Sequence, residues 1–97
     1  MTEFVMLMHT DATTRPTPEM WSPYLSSLRD RGIFEGGSSI GVGETFRKQA
    51  TPAEASKHLA GYIRVRAETL AAASELLTGN PVFECGGTVE IRELPRD

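Results

Sequence analysis

The sequence predicts an α+β fold of the split βαβ kind, and three observations carry that expectation. Phe4-Val5-Met6-Leu7-Met8 is apolar at every position. Tyr62-Ile63-Arg64-Val65-Arg66 and Thr88-Val89-Glu90-Ile91-Arg92 alternate between apolar and polar side chains. Between these strand-like stretches lie two segments with helix-start residues and helical spacing of apolar positions.

The first stretch, Phe4 to Met8, needs cover on both faces and is therefore expected in the middle of a sheet. It runs into His9-Thr10-Asp11 and then into Ala12 to Pro16, where Thr, Arg and Pro read as loop. Thr17-Pro18-Glu19 is a helix start. Thr can cap a free N–H, Pro lacks the donor that the first helical position would leave unused, and Glu favours the positive helix end. Trp21, Tyr24, Leu25 and Leu28 follow the i, i+3, i+4, i+7 pattern, with Gly32 as the left-handed stop. Pro23 lies inside this helix, where it removes one hydrogen bond, so a kink or a late start is expected.

Ile33 to Gly43, counted with Gly32, holds five glycines among a few apolar residues, which suggests short, bent strand segments. Glu44 to Lys48 alternates weakly and is expected to pair back on that stretch as a hairpin. Gln49 to Lys57 reads as loop or a single helical turn. After the Tyr62–Arg66 strand, Thr69 is placed to cap a second helix of about two to three turns. On that helix Leu70, Ala73 and Leu77 share a face, Gly79 terminates it, and Pro81 forbids its continuation. The closing strand puts Val89 and Ile91 on one face and Thr88, Glu90 and Arg92 on the other.

Composition narrows the function classes. A chain of 97 residues supports one core, hence one domain over 1–97, and 39% hydrophobic with 24% charged residues is ordinary for a globular protein. A net charge of -3 gives no basic footprint for nucleic acid or an anionic membrane surface. The longest apolar stretch is far short of the ~20 residues that span a membrane. The single cysteine, Cys85, cannot form a disulfide within the chain, and residues 1–8 lack the pattern of a signal peptide, so a cytoplasmic location is expected.

The element order β, α, β, β, α, β is that of a ferredoxin-like fold, with an antiparallel sheet and both helices on one of its faces. The other face then carries Tyr62, Arg64, Arg66, Glu90 and Arg92 beside the greasier first strand. Such a face on a small domain is commonly covered by a second copy, so a homodimer packed sheet to sheet around a partly polar cavity, a dimeric α/β barrel, is expected.

Several residues are candidates for chemistry. His9 and Asp11 are two apart at a strand end, roughly 6 to 7 Å along the backbone at ~3.3 Å per residue. In the functional reading Asp11 orients His9, which acts as a general base on a small substrate. In the plainer one Asp11 ties down the loop and His9 ends a strand. Arg64 and Arg92, with Arg66, have the fork geometry to clamp a carboxylate, or they pair with Glu90 and across a dimer. Tyr62 either donates a hydrogen bond into the cavity or packs at an interface. Trp21 and the methionines Met6 and Met8 read as space-filling residues, with Trp21 also a wall for a cleft near His9, Asp11 and Arg64. His58 is expected in solvent, and Cys85 has no cationic neighbour to make it a nucleophile. Gly41-Val42-Gly43 is too short for a dinucleotide fingerprint, and one Cys with two scattered His gives no metal-ligand spacing, so neither cofactor nor metal is expected.

Taken together, the opening Phe4-Val5-Met6-Leu7-Met8-His9-Thr10-Asp11, the Met20-Trp21 to Tyr24 to Leu28 helix ending in Gly32, Phe34-Glu35-Gly36-Gly37, Leu59-Ala60-Gly61-Tyr62-Ile63 and Gly86-Gly87-Thr88-Val89-Glu90-Ile91-Arg92 resemble the YCII-related family, also called the DGPF-domain family. The resemblance spans nearly the whole chain and implies a dimeric α/β barrel. The Asp-Gly-Pro-Phe segment of that family would fall at Gln49-Ala50-Thr51-Pro52, where it is absent. The resemblance also implies an Asp after the first strand, which Asp11 matches, and a His on the first helix, whose position falls at Trp21. The function expected is binding of a small anionic or aromatic molecule by a homodimer, with chemistry of lyase or isomerase type; the alternative is a non-catalytic dimeric interaction module.

Overall fold

The computed structural model describes residues 1–96. The chain runs β1 (Thr2–His9), α1 (Pro18–Asp30), β2 (Phe34–Ser39), β3 (Leu59–Ala67), α2 (Leu70–Glu75), α3 (Pro81–Glu84) and β4 (Val89–Leu94). The strands form one antiparallel sheet in the order β2-β3-β1-β4, so β1 is internal, as its unbroken apolar run requires. This α+β arrangement is compatible with a ferredoxin-like fold. The sheet register pairs Met6 with Ile63 and Ile91, and Leu7 with Tyr62 and Glu90.

Because side chains alternate along a strand, that register sorts the sheet into two unlike faces. Phe4, Met6, Met8, Ile63, Val65 and Ala67 point to the helices and are buried. Glu3, Val5, Leu7 and His9 of β1 point the other way, beside Tyr62, Arg64 and Arg66 of β3 and Glu90 and Arg92 of β4. Strand one thus brings an acidic residue to the open face, because β1 starts two residues earlier than its apolar core.

Helix α1 is continuous from Pro18 to Asp30, with Pro23 inside it. No late start occurs. Pro23 is exposed, so the carbonyl of Glu19 that it leaves without a donor is near solvent, and the loss is tolerated. Thr17 occupies the N-cap in extended backbone, and its carbonyl accepts from Met20 N at 3.1 Å. Gly32 takes φ +70 just beyond the helix, as a left-handed stop does. Tyr24 is buried, and its hydroxyl donates to the Leu76 carbonyl at 2.8 Å, fastening α1 to the end of α2. Burial pushes the Tyr24 hydroxyl pKa up, with the Asn80 side chain acting against it.

Three further expectations are corrected. Residues 44–48 form no hairpin with β2, since 40–58 contain no regular helix or strand. The second helix spans only Leu70–Glu75, capped by Thr69, whose hydroxyl accepts from Ala72 N at 3.0 Å. Its buried residues are Ala73 and, just beyond, Leu76, whereas Leu70 is 56% exposed. Helix α2 does not continue through Pro81, but the segment after it is not plain loop: Pro81 opens a third helix, α3, because Asn80 turns the chain and caps Phe83 N at 3.1 Å.

Strand β2 is bent, as its glycines predict, with a register shift between Phe34 and Gly36. Gly37 lies so close to the Tyr62 carbonyl and the Ile63 side chain that a Cβ has no room there. That close approach brings β2 hard against β3 and shapes the rim of the groove described next.

Candidate functional site

Helix α1 presents two stripes, each set by helical spacing. Tyr24 and Leu28 are buried in the core, while Trp21, Leu25 and Arg29 at i, i+4 and i+8 line a groove of about 780 Å³ between α1 and the β2–β3 edge. Met8, Phe34, Ile63 and Val82 add apolar surface, and Ser38, Ser39 and Tyr62 complete the β2–β3 rim. Arg29 lies over the Phe34 ring with its guanidinium carbon 5.1 Å from the centroid, a cation–π contact. Arg15, from the loop after β1, lines the groove as well. Among the described residues, neither Arg15 nor Arg29 takes part in an ion pair.

A second hollow of about 310 Å³ is lined by His9, by the loop Thr10 to Pro16 without Asp11, and by Ala60 and Val82. It shares Arg15, Pro16, Ala60 and Val82 with the groove, so the two are contiguous.

The residues singled out from the sequence do not converge on one cleft. Asp11 does not reach His9. One of its oxygens accepts from Thr88 N at 2.8 Å and the other from Thr88 Oγ1 at 2.6 Å, so it ties the β1 loop to the start of β4. The Thr88 hydroxyl, then the Thr88 amide, hold the Asp11 carboxyl below its ordinary 3.8. His9 is placed against Glu90 instead, with Nε2 3.2 Å from Oε1, and its ring meets His58 edge to face at a centroid distance of 4.9 Å. His58 is exposed, as expected.

The arginines of the open face are each committed to a carboxylate. Arg64 Nε donates to Glu3 at 2.6 Å, Arg66 Nε lies 2.6 Å from Glu35, and Arg92 Nη1 donates to Glu90 at 2.7 Å. Arg64 is therefore held more firmly protonated, first by the Glu3 hydrogen bond. The Arg92 hydrogen bond, and after it the His9 contact, hold Glu90 below its ordinary 4.5. Pairing with Glu90 is thus correct for Arg92, whereas the partners of Arg64 and Arg66 are Glu3 and Glu35.

Trp21 is the one candidate from the sequence that stands in the groove as a wall, half-buried rather than in the core, with Tyr62 at its border. Arg15, Arg29 and Phe34 were not legible as site residues. The signal for Arg29 was present, since it continues the Trp21–Leu25 stripe by one more turn. Cys85 is buried, and among the described residues no group of three His, Cys, Asp or Glu side chains is placed to hold a metal ion. No helix among them is long and apolar enough to cross a membrane.

Compared with known proteins, the chain matches no family model and no curated protein.

Proposed function

We propose that this chain is a YCII-related protein that, as a homodimer, binds a small organic anion with a flat apolar body in the groove beside α1. The observation that carries the reading is the pairing of an apolar wall, Trp21, Leu25 and Phe34, with two arginines, Arg15 and Arg29, that lack carboxylate partners. An aromatic or similarly flat body fits the wall, and a carboxylate answers the guanidinium forks. A chemical step of lyase or isomerase type needs a proton acceptor, and His9, held by Glu90 at the edge of the adjoining hollow, is the group for it. A non-catalytic dimeric interaction module is the second reading. The commitment of Arg64, Arg66 and Arg92 to internal carboxylates, and of Asp11 to Thr88, favours it.

The test uses the protein's only tryptophan. Trp21 stands in the groove, so its fluorescence reports occupancy directly when small carboxylates, phenols and aromatic acids are titrated, alongside the thermal shift that binding to the folded state requires. Arg29→Gln is expected to weaken an anionic ligand about tenfold, the worth of a charge-assisted hydrogen bond at a partly open site. A ligand that raises the melting temperature without changing Trp21 emission, or that binds Arg29→Gln and Arg15→Gln as tightly as the parent, would place binding elsewhere. No ligand from a broad panel, with a dimer in solution, would leave the interaction-module reading.

A further inference from the structure

The charge of the groove beside α1 runs against that of the chain. The chain holds 13 acidic against 10 basic residues, yet two arginines and, among the described residues, no carboxylate line the groove. The two cations do not sit together. Arg29 belongs to the end where α1 passes into β2, its guanidinium carbon 5.1 Å from the centre of the Phe34 ring. Arg15 belongs to the opposite end, where β2 finishes at Ser39 beside Gly61 and the groove runs into the hollow lined by His9 and Ala60. The segment that leaves this rim does not supply the missing carboxylates, since residues 40–58 hold Arg47, Lys48 and Lys57 against Glu44 and Glu54.

Both walls of the groove measure the separation. Along β2, Phe34 to Ser39 spans about 16 Å at ~3.3 Å per residue. Along α1, Trp21 to Arg29 spans about 12 Å at ~1.5 Å per residue, with Leu25 between them. Stacking on Phe34 holds Arg29 at its own end and leaves the N–H groups in the guanidinium plane open to an acceptor. A single carboxylate, with both oxygens on one carbon, cannot meet two forks so placed. The two arginines are therefore separate anion sites joined by the apolar surface of Trp21 and Leu25.

We propose that the groove selects a two-ended dianion, a rod-like molecule whose flat apolar body lies on Trp21 and Leu25 and whose two carboxylates meet Arg15 at one end and Arg29 at the other. At these separations, shortened by the reach of each arginine side chain, the body between the carboxylates amounts to roughly one or two aromatic rings. This inference rests on the ligand groove of the proposed function and deepens it, from a small anion to one with charge at both ends. Specificity follows from the geometry: a molecule with all its charge on one edge leaves the far arginine without a partner.

The decisive experiment is calorimetric titration of the full chain with terephthalate, with its two-ring counterpart biphenyl para,para′-dicarboxylate, with phthalate and with benzoate, while Trp21 emission locates the binding. Phthalate has the formula and charge of terephthalate but carries both carboxylates on one edge, so it cannot reach both arginines. At least one of the two spanning diacids is expected to bind about tenfold or more tighter than phthalate, as a second charge-assisted hydrogen bond contributes. That advantage should vanish in Arg15→Gln and in Arg29→Gln alike, both exposed positions, and should persist in part in Arg29→Lys, which keeps the charge. Phthalate or benzoate binding as tightly as both spanning diacids would overturn the two-ended grip and leave the single-anion reading standing. An advantage that survives either Gln substitution would overturn it as well, since the second carboxylate would then be held elsewhere. If none of the four acids changes Trp21 emission or releases heat, the ligand groove and the two-ended selection fall together.

Discussion

The two faces of the sheet are made from the same strands and hold together by different physics. On the helix side, Met6 and Val65 are 0% exposed and Phe4, Met8 and Ile63 at most 4%, a dry layer stabilised by apolar burial at roughly 1.5–3 kcal/mol per large side chain. On the open side, Val5 and Leu7 are only half-buried, ringed by the pairs Arg64–Glu3 and Arg92–Glu90 with His9 beside the latter. Those ion pairs are wet, and exposed pairs gain little. The comparison teaches that the two faces are stabilised differently: one supplies the dry core of the fold, and the other leaves paired charges and half-covered apolar side chains at the surface.

The largest effect is expected from the dry face. Met6→Ala removes a fully buried side chain at the centre of β1, beside Ile63 and Ile91, and should cost about 2–5 kcal/mol in urea unfolding. A loss below 1 kcal/mol would mean that the core repacks freely and that the contrast between faces is weaker than the burial suggests. Acid separates the faces next. Asp11 and Glu90 both have folded pKa values below their ordinary ones, so each contributes stability that is fully present above the ordinary value, 3.8 or 4.5, and is lost as pH falls through the lower, folded value. The parent should therefore lose stability on acidification through this window. Asp11→Asn should be less stable than the parent at neutral pH and show a shallower fall below pH 3.8, with the curves converging in acid. Parallel curves would assign the acid sensitivity to other carboxylates.

The smallest effect on folding is expected from Arg64→Ala, whose Glu3 partner is itself partly exposed. Its unfolding midpoint should move far less than that of Met6→Ala. Sedimentation of the same variant sharpens the comparison, since a weakened dimer with an unchanged midpoint would show the open face to be an interface, and an unchanged dimer would remove Arg64 from it.

Much of the architecture was legible in the residues. The continuous apolar run of β1 required a central strand, the alternation of β3 and β4 set which side chains face the helices, and the glycines of 32–43 announced a bent β2. Helix α1 was legible in its cap, its spacing and its Gly32 stop, but not in the late start expected at Pro23, since the helix runs through that residue, which is exposed. The α2–α3 region was misread as well. Leu70 is apolar and correctly spaced, yet spacing within a short helix does not fix which residues meet the sheet, and here Ala73 and Leu76 are inside while Leu70 is exposed.

The candidate site was less legible than the fold. His9 and Asp11 are neighbours along the chain, and local proximity suggested a pair. The sheet instead brings Glu90 to His9 and Thr88 to Asp11, partners about eighty residues away in sequence. Arg15 and Arg29 belong to a loop and a helix whose common groove exists only once α1 lies across the β2–β3 edge. Periodicity and turn chemistry are local properties, so the sequence by itself determined the element types, the order that makes a split βαβ fold natural, and the apolar face of each strand. Register, helix docking and the destination of every charged side chain are set by the packing of distant segments, which is why only the tertiary structure decided that the arginines of the open face are paired, that Asp11 is a tie, and that Trp21 stands in a groove.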